Sequence, residues 1–122
     1  MSHINRWEEQ GLYRKYIGVV SGEEILESNL KLHEHPDFAN IKYVINDFTE
    51  MIEHSITIAH TDIYAKTDEI ASNTKGKLKI AIVVVNTEHY DLAVHYKQMM
   101  QGKLFECEIY NLLEDARQWV CD

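Results

Sequence analysis

Lys77-Leu-Lys-Ile-Ala-Ile-Val-Val-Val-Asn86 runs without a break into Thr87-Glu-His-Tyr-Asp-Leu-Ala-Val-His-Tyr96. The first half is a short apolar run, rich in β-branched residues, which predicts a strand buried on both faces. The second half carries Tyr90, Ala93 and Val94 at helical spacing, and the pattern continues through Lys97 and Met100 to Gln101 before Gly102. A strand apolar on both faces needs a cover, and the helix that follows supplies it for one face. This pairing predicts an α/β domain with Leu78 to Asn86 as its central strand.

Working outward, the same unit recurs. Phe105 to Asn111 alternates, with Phe105, Cys107 and Ile109 facing in, which fits a strand near a sheet edge. Asn111-Leu-Leu-Glu114 is a cap-like signal for a last helix carrying Leu112, Ala116 and Trp119. Toward the N-terminus, Ile41-Lys-Tyr-Val-Ile-Asn-Asp-Phe48 is another strand. Ser55 or Thr57 then opens a helix with Ile56, Ala59, Ile63 and Ile70 on one side, and Gly76 ends it. Ser21-Gly22-Glu23-Glu24 matches a capping box for a helix that stops near His35, because Pro36 disfavours helix in the residue before it. Ile4 to Glu9 and Leu12 to Ser21 flank Gln10-Gly11 as a hairpin. The expected order is β-β-α-β-α-β-α-β-α: a mixed, mainly parallel sheet that opens with a β-hairpin. The crossovers are expected to be right-handed.

The 122 residues suit one domain, 1–122, with an ordinary apolar fraction of 45%. A net charge of −8 disfavours nucleic acid and polybasic attachment to anionic lipid. The longest apolar run, Ile80 to Val85, is far short of a membrane span. The start, Met-Ser-His-Ile-Asn-Arg-Trp, has no apolar leader. With two scattered cysteines, Cys107 and Cys121, these features point to a reducing cytoplasm and free thiols.

The strand ends carry the first candidate binding residues. Asn46-Asp47, Asn86-Thr87 and Asn111 are expected to line one crevice beyond the strand ends, where open α/β sheets bind ligands. Asn, Asp and Thr at such places also cap helices and stabilise turns. Ser55, near a helix start, is a candidate phosphorylation site, although an ordinary cap serine has the same sequence. Tyr90, Tyr96, Met99 and Met100 would form an adaptable apolar surface for a lipid or a second subunit, or would simply pack in the core. The histidine pairs 33/35, 54/60 and 89/95 lack the i, i+4 spacing of a helical zinc site, so no metal and no cofactor are expected. The carboxylate pairs fall in opening helical turns or on a solvated strand face. No glycine-rich phosphate loop or nucleophile motif is present, so no catalytic residue is assigned.

Trp7-Glu-Glu-Gln-Gly-Leu-Tyr-Arg-Lys-Tyr16 and Gly18-Val-Val-Ser-Gly-Glu-Glu-Ile-Leu26 resemble the opening of small bacterial STAS-like proteins. His35-Pro-Asp-Phe38, Tyr43-Val-Ile-Asn-Asp-Phe48, Ile80-Ala-Ile-Val and Glu114-Asp-Ala-Arg-Gln-Trp119 continue the likeness along nearly the whole chain. The resemblance implies a SpoIIAA-like fold, related in shape to lipid-binding Sec14 (CRAL-TRIO) domains. It also implies a non-enzymatic binding or regulatory module. Two other readings follow from it: a carrier of a small apolar ligand or lipid that touches membranes transiently, and a phosphoserine switch of the anti-sigma-antagonist type. For the switch, Ser55 in Glu53-His-Ser-Ile56 is the nearest match, with His54 where the family has Asp. The implied partner is a protein, a small apolar ligand or a second copy of the chain.

Overall fold

A computed structural model describes residues 2–122. Its elements are β1 (His3–Trp7), β2 (Gly11–Val20), α1 (Gly22–Glu34), a 3-10 turn (Pro36–Asn40), β3 (Tyr43–His54), α2 (Ile58–Lys75), β4 (Leu78–Val83), α3 (Thr87–Met100), β5 (Phe105–Tyr110) and α4 (Leu113–Val120). The strands form one sheet in the order β1-β2-β3-β4-β5. The β1–β2 hairpin is antiparallel and every other pair is parallel. The expected mixed α/β order is present. β3 rather than β4 is the middle strand, because β1 adds to the side away from β5.

The strand order advances one place at each crossover. With right-handed connections, such a march puts every crossover helix on the same face. α1, α2 and α3 accordingly share the front face, where Leu12, Tyr16, Val44, Ile80, Ile82 and Phe105 pack against Ile25, Leu32, Tyr64, Ala93 and Tyr96. α4 follows the last strand and has no crossover to make. It closes the back face instead, with Ala116 and Val120 over Tyr43, Ile45, Ala81 and Val83. Its Arg117 reaches the hairpin, where Nη1 and Nη2 donate to the Glu8 carboxylate at 3.0 and 2.9 Å. Tyr43 Oη donates to the same carboxylate at 2.5 Å. Arg117 holds the Glu8 carboxyl below its usual range; burial opposes this, and the Tyr43 bond and the Arg6 charge add to it.

Local rules explain most boundaries and several departures. Ser21 caps α1, accepting from Glu24 N–H at 3.0 Å. The reciprocal half of that expected box is missing, because the Glu24 carboxylate instead binds Ser2 N–H at 3.0 Å and His3 Nδ1 at 2.6 Å. Thr57, not Ser55, caps α2, in a full capping box with His60. β3 runs on to His54, past the expected end at Phe48, because β2 stays paired to it through two register shifts. Gly18, at φ 72°, takes the left-handed backbone at the second shift. α4 starts at Leu113 without a side-chain cap, so Asn111 lies outside the helix. Leu112 is exposed rather than on its buried stripe.

The stripe expected on α2 is reversed. Ile63 and Ile70 are exposed, and Thr61, Tyr64, Ala65, Asp68 and Ser72 are buried. Thr61 Oγ1 and Ser72 Oγ satisfy themselves on carbonyls of their own helix, at 2.7 Å each. Asp68 has side-chain partners across the core, described next.

Candidate functional site

Between the sheet and α1–α3 lies a cavity of about 90 Å³. Most of its wall is aliphatic or aromatic, including Ile25, Leu32, Val44, Ile80, Ile82 and Phe105. One side is polar. Arg14 projects from β2 between Leu12 and Tyr16, at an inward position of the alternating strand, and is 1% exposed. Its Nε donates to Asn46 Oδ1 at 3.0 Å, its Nη1 to Ser28 Oγ at 2.6 Å and its Nη2 to Asn29 Oδ1 at 2.6 Å. All three acceptors are neutral. Among the described residues no carboxylate lies within 4.0 Å of the guanidinium (its salt-bridge distance).

Asp68 of α2 also lines the cavity. One carboxylate oxygen accepts from Tyr96 Oη, and the other faces His33 Nε2 at 3.1 Å. Burial, and then the Asp68 charge, push the Tyr96 phenol far above its ordinary range, so it stays a donor. His89, at the start of α3, is buried in the same wall. Burial holds its pKa down, and the nearby His54 ring, 5.0 Å away between centroids, adds to the effect. The neutral imidazole is therefore its resting form. Beside this cluster, but outside the cavity wall, the Tyr16 hydroxyl is fully buried without a hydrogen-bond partner.

The sequence-based candidates are dispersed. Asp47 is not at a strand end. It lies within β3 on the back face, where it accepts from Tyr13 Oη at 2.5 Å and from Thr49 N–H at 2.9 Å. Its strand neighbour Asn46 points the other way, into the cavity. Asn86 caps α3, accepting from Glu88 N–H at 2.8 Å. With Thr87, Tyr90, Tyr110 and Asn111 it lines an open groove of about 390 Å³ at the ends of β4 and β5. That groove is the expected crevice without its Asn46-Asp47 side. Ser55 is exposed, but its Oγ accepts from Gly22 N–H at 3.2 Å, at the start of α1 rather than of α2. Tyr96 and Met100 are core residues, whereas Tyr90 and Met99 are exposed, so the four form no common surface. Cys107 is buried, which pushes its thiol up to about 12.

Arg14, Asp68 and His33 were not singled out as site residues from the sequence. One signal was available for Arg14. Leu12, Arg14 and Tyr16 occupy alternate positions of a strand, so a charge there must enter the core or break the pattern. No comparable signal marks Asp68, because the apolar stripe that the sequence of α2 suggests, with Ile63 and Ile70, is the side that faces water. Among the described residues no three His, Cys, Asp or Glu side chains converge as metal ligands would. No helix of the described residues is long and apolar enough to cross a membrane.

No protein-family model matches the chain. No curated protein matches it either. Among solved structures, it is similar to an uncharacterised protein of the DUF3478 family with a SpoIIAA-like fold, from Shewanella loihica PV-4. The likeness covers 98% of this chain and 94% of that one, at 19% identity and a TM-score of 0.59. At that identity the match speaks for architecture alone, and the architecture agrees strand for strand with the sequence-based expectation: the chain has a SpoIIAA-like fold.

Proposed function

We propose that this chain is a non-enzymatic STAS-type binding module, working in the cytoplasm, that holds a small molecule between its sheet and its three front helices. The observation that carries the reading is the cavity, with apolar walls and one cluster of buried polar side chains. Apolar walls with a few placed polar groups are the general pattern of small-molecule sites. The size sets a limit. A cavity of about 90 Å³ is well below the roughly 300–1,000 Å³ of drug-sized pockets. A long acyl chain does not fit, so the lipid-carrier version of the reading is the weaker one.

The test is a two-dimensional amide NMR screen of the ¹⁵N-labelled protein with a library of small fragments. Shifts that map to Arg14, Asn29, Val44, Asp68 and Ala93 support the reading. Shifts confined to surface residues, or none at all, overturn it.

A second reading, regulation through a protein partner, rests on a different observation. The outer ends of β2 and β3 expose Val19 at 66% and Ile52 at 77%, with Ile17 beside them. Val19→Lys with Ile52→Lys would abolish capture of such a partner and leave the cavity untouched. The phosphoserine version has less support: a phosphate on Ser55 would meet the free amides of α1 but also Glu23 and Glu24 in that helix's first turn.

A further inference from the structure

The hydrogen-bond inventory of the cavity is unbalanced toward donors. A guanidinium has five N–H groups and no acceptor. Arg14 uses three of them, on Asn46, Ser28 and Asn29. Because arginine only donates, both asparagines must turn Oδ1 toward it, which leaves their Nδ2 groups as further donors. Neither Nδ2 has a protein acceptor among the described residues. The one carboxylate in the wall, Asp68, accepts from Tyr96 Oη through one oxygen and has His33 Nε2 3.1 Å from the other. A permanently charged side chain, 1% exposed, therefore faces a mostly apolar space with spare N–H groups, and among the described residues no carboxylate lies within 4.0 Å of it.

From this imbalance we infer that the cavity binds a small organic monoanion, a short-chain carboxylate, with its oxygens on the Arg14–Asn29–Asn46 donors and its alkyl end against Ile80, Ile82 and Phe105. The inference rests on the cavity being the binding site and adds the charge and size of the ligand. A carboxylate supplies the acceptors that the donor set lacks, and charge-assisted bonds in a water-poor site are strong. The apolar wall selects against inorganic anions, which bring no surface to bury. Size follows from volume: a cavity of about 150 Å³ takes benzene, with six heavy atoms. By that proportion about 90 Å³ takes roughly four, the size of acetate, and the longer propionate and butyrate test how far the walls give.

The experiment titrates acetate, propionate and butyrate, with propionamide, 1-propanol and sodium chloride as comparators, into the ¹⁵N-labelled wild-type protein at fixed ionic strength. The readout includes the Arg14 Nε–H and the Asn29 and Asn46 Nδ2 signals. The expected result is saturable binding of propionate about tenfold tighter than of propionamide or 1-propanol, with the side-chain signals moving. Equal affinity for acid, amide and alcohol would overturn the charge assignment while leaving the cavity as a site. Failure of every organic probe to perturb the cavity residues would overturn both. Arg14→Gln, which keeps donors but removes the charge, should erase the preference for the acid. If that variant does not fold, Ala93→Leu is used instead: it leaves Arg14 in place, fills the space and should abolish propionate binding.

Discussion

Replacing Tyr16 by Phe should make this protein more stable. The phenol ring is 0% exposed and lies parallel to Phe48, with centroids 4.8 Å apart at an interplanar angle of 4°. Both the packing and the stacking survive the substitution. What is lost is a buried hydroxyl that has no partner. Arg14 and Ser28 pull the phenol's pKa back down, but Ser28 Oγ is held by Arg14 at 2.6 Å and makes no hydrogen bond to Tyr16. Burial is the main reason that the phenol's pKa is raised. A buried, unsatisfied hydroxyl costs about 1–3 kcal/mol. Its removal should therefore add about 1–2 kcal/mol to the free energy of unfolding, after allowance for the small void left by one oxygen. For 122 residues, an unfolding entropy of roughly 2.1 cal/mol/K per residue turns that gain into a rise of about 4–8 °C in Tm. Urea denaturation followed by circular dichroism should show a higher midpoint at an unchanged m-value. A loss of about 0.5 kcal/mol or more would refute the reasoning, because it would mean the hydroxyl is bonded. A double-mutant cycle with Ser28→Ala would then identify the partner.

Three further outcomes follow from other parts of the structure. Gly11→Ala should destabilise the fold by about 1–3 kcal/mol in urea melts, because an added Cβ would lie 2.3 Å from a Tyr43 ring carbon; a neutral result would mean that the ring is free to move. In the native protein a thiol reagent should label the exposed Cys121 quickly, and Cys107, whose thiol is pushed up to about 12, only after unfolding. Mass spectrometry of labelled peptides decides this. Glu8 has a folded-state pKa below its unfolded value, chiefly through Arg117. Its contribution is thus present above the unfolded pKa and lost as pH falls through the folded one. Glu8→Gln should flatten the acid limb of the stability–pH curve below about pH 4.5, and a limb of unchanged slope would show that the pair contributes nothing.

Much of the architecture was legible because the strands obey a simple rule. β4 is apolar on both faces, and the structure gives it α3 on one side and α4 on the other. The alternation in β5 marks the last strand of the sheet. Where periodicity was strong, the elements stand within a few residues of their expected limits. The sequence pattern ends β3 at Phe48 because Thr49, Glu50 and Glu53 interrupt its apolar run. Their strand character comes from pairing with β2 across two register shifts, which is a tertiary effect. Asn86, Thr87 and Asn111, expected along one crevice, do line one groove, since a strand-to-helix junction is a local feature; Tyr90, expected with Tyr96, Met99 and Met100, joins them there instead. Asp47 was misplaced by the same misjudged strand end.

The departures from simple patterning are not scattered. Arg14 occupies an inward strand position, Asn29 an inward position of α1, and Asp68 an inward position of α2 whose apolar alternatives, Ile63 and Ile70, face water. All three line one cavity. Each alone opposes the hydrophobic rule by an amount that matters in a domain stabilised by only about 5–15 kcal/mol. A sequence free to optimise stability would turn the isoleucines of α2 inward and replace Arg14 with an aliphatic residue, because well-packed apolar groups are as good as a buried polar cluster or better. Such violations are expected where a structure does something besides fold. The helix that defeated the periodicity argument is the one that delivers Asp68 to the cavity, and the strand position that breaks an apolar alternation delivers Arg14. Arg14→Met combined with Ser28→Ala and Asn29→Leu should therefore raise the urea midpoint while ending propionate binding. If that variant were less stable than the wild type, the polar cluster would be a structural support, and the argument from misplaced residues to a ligand would lose its premise.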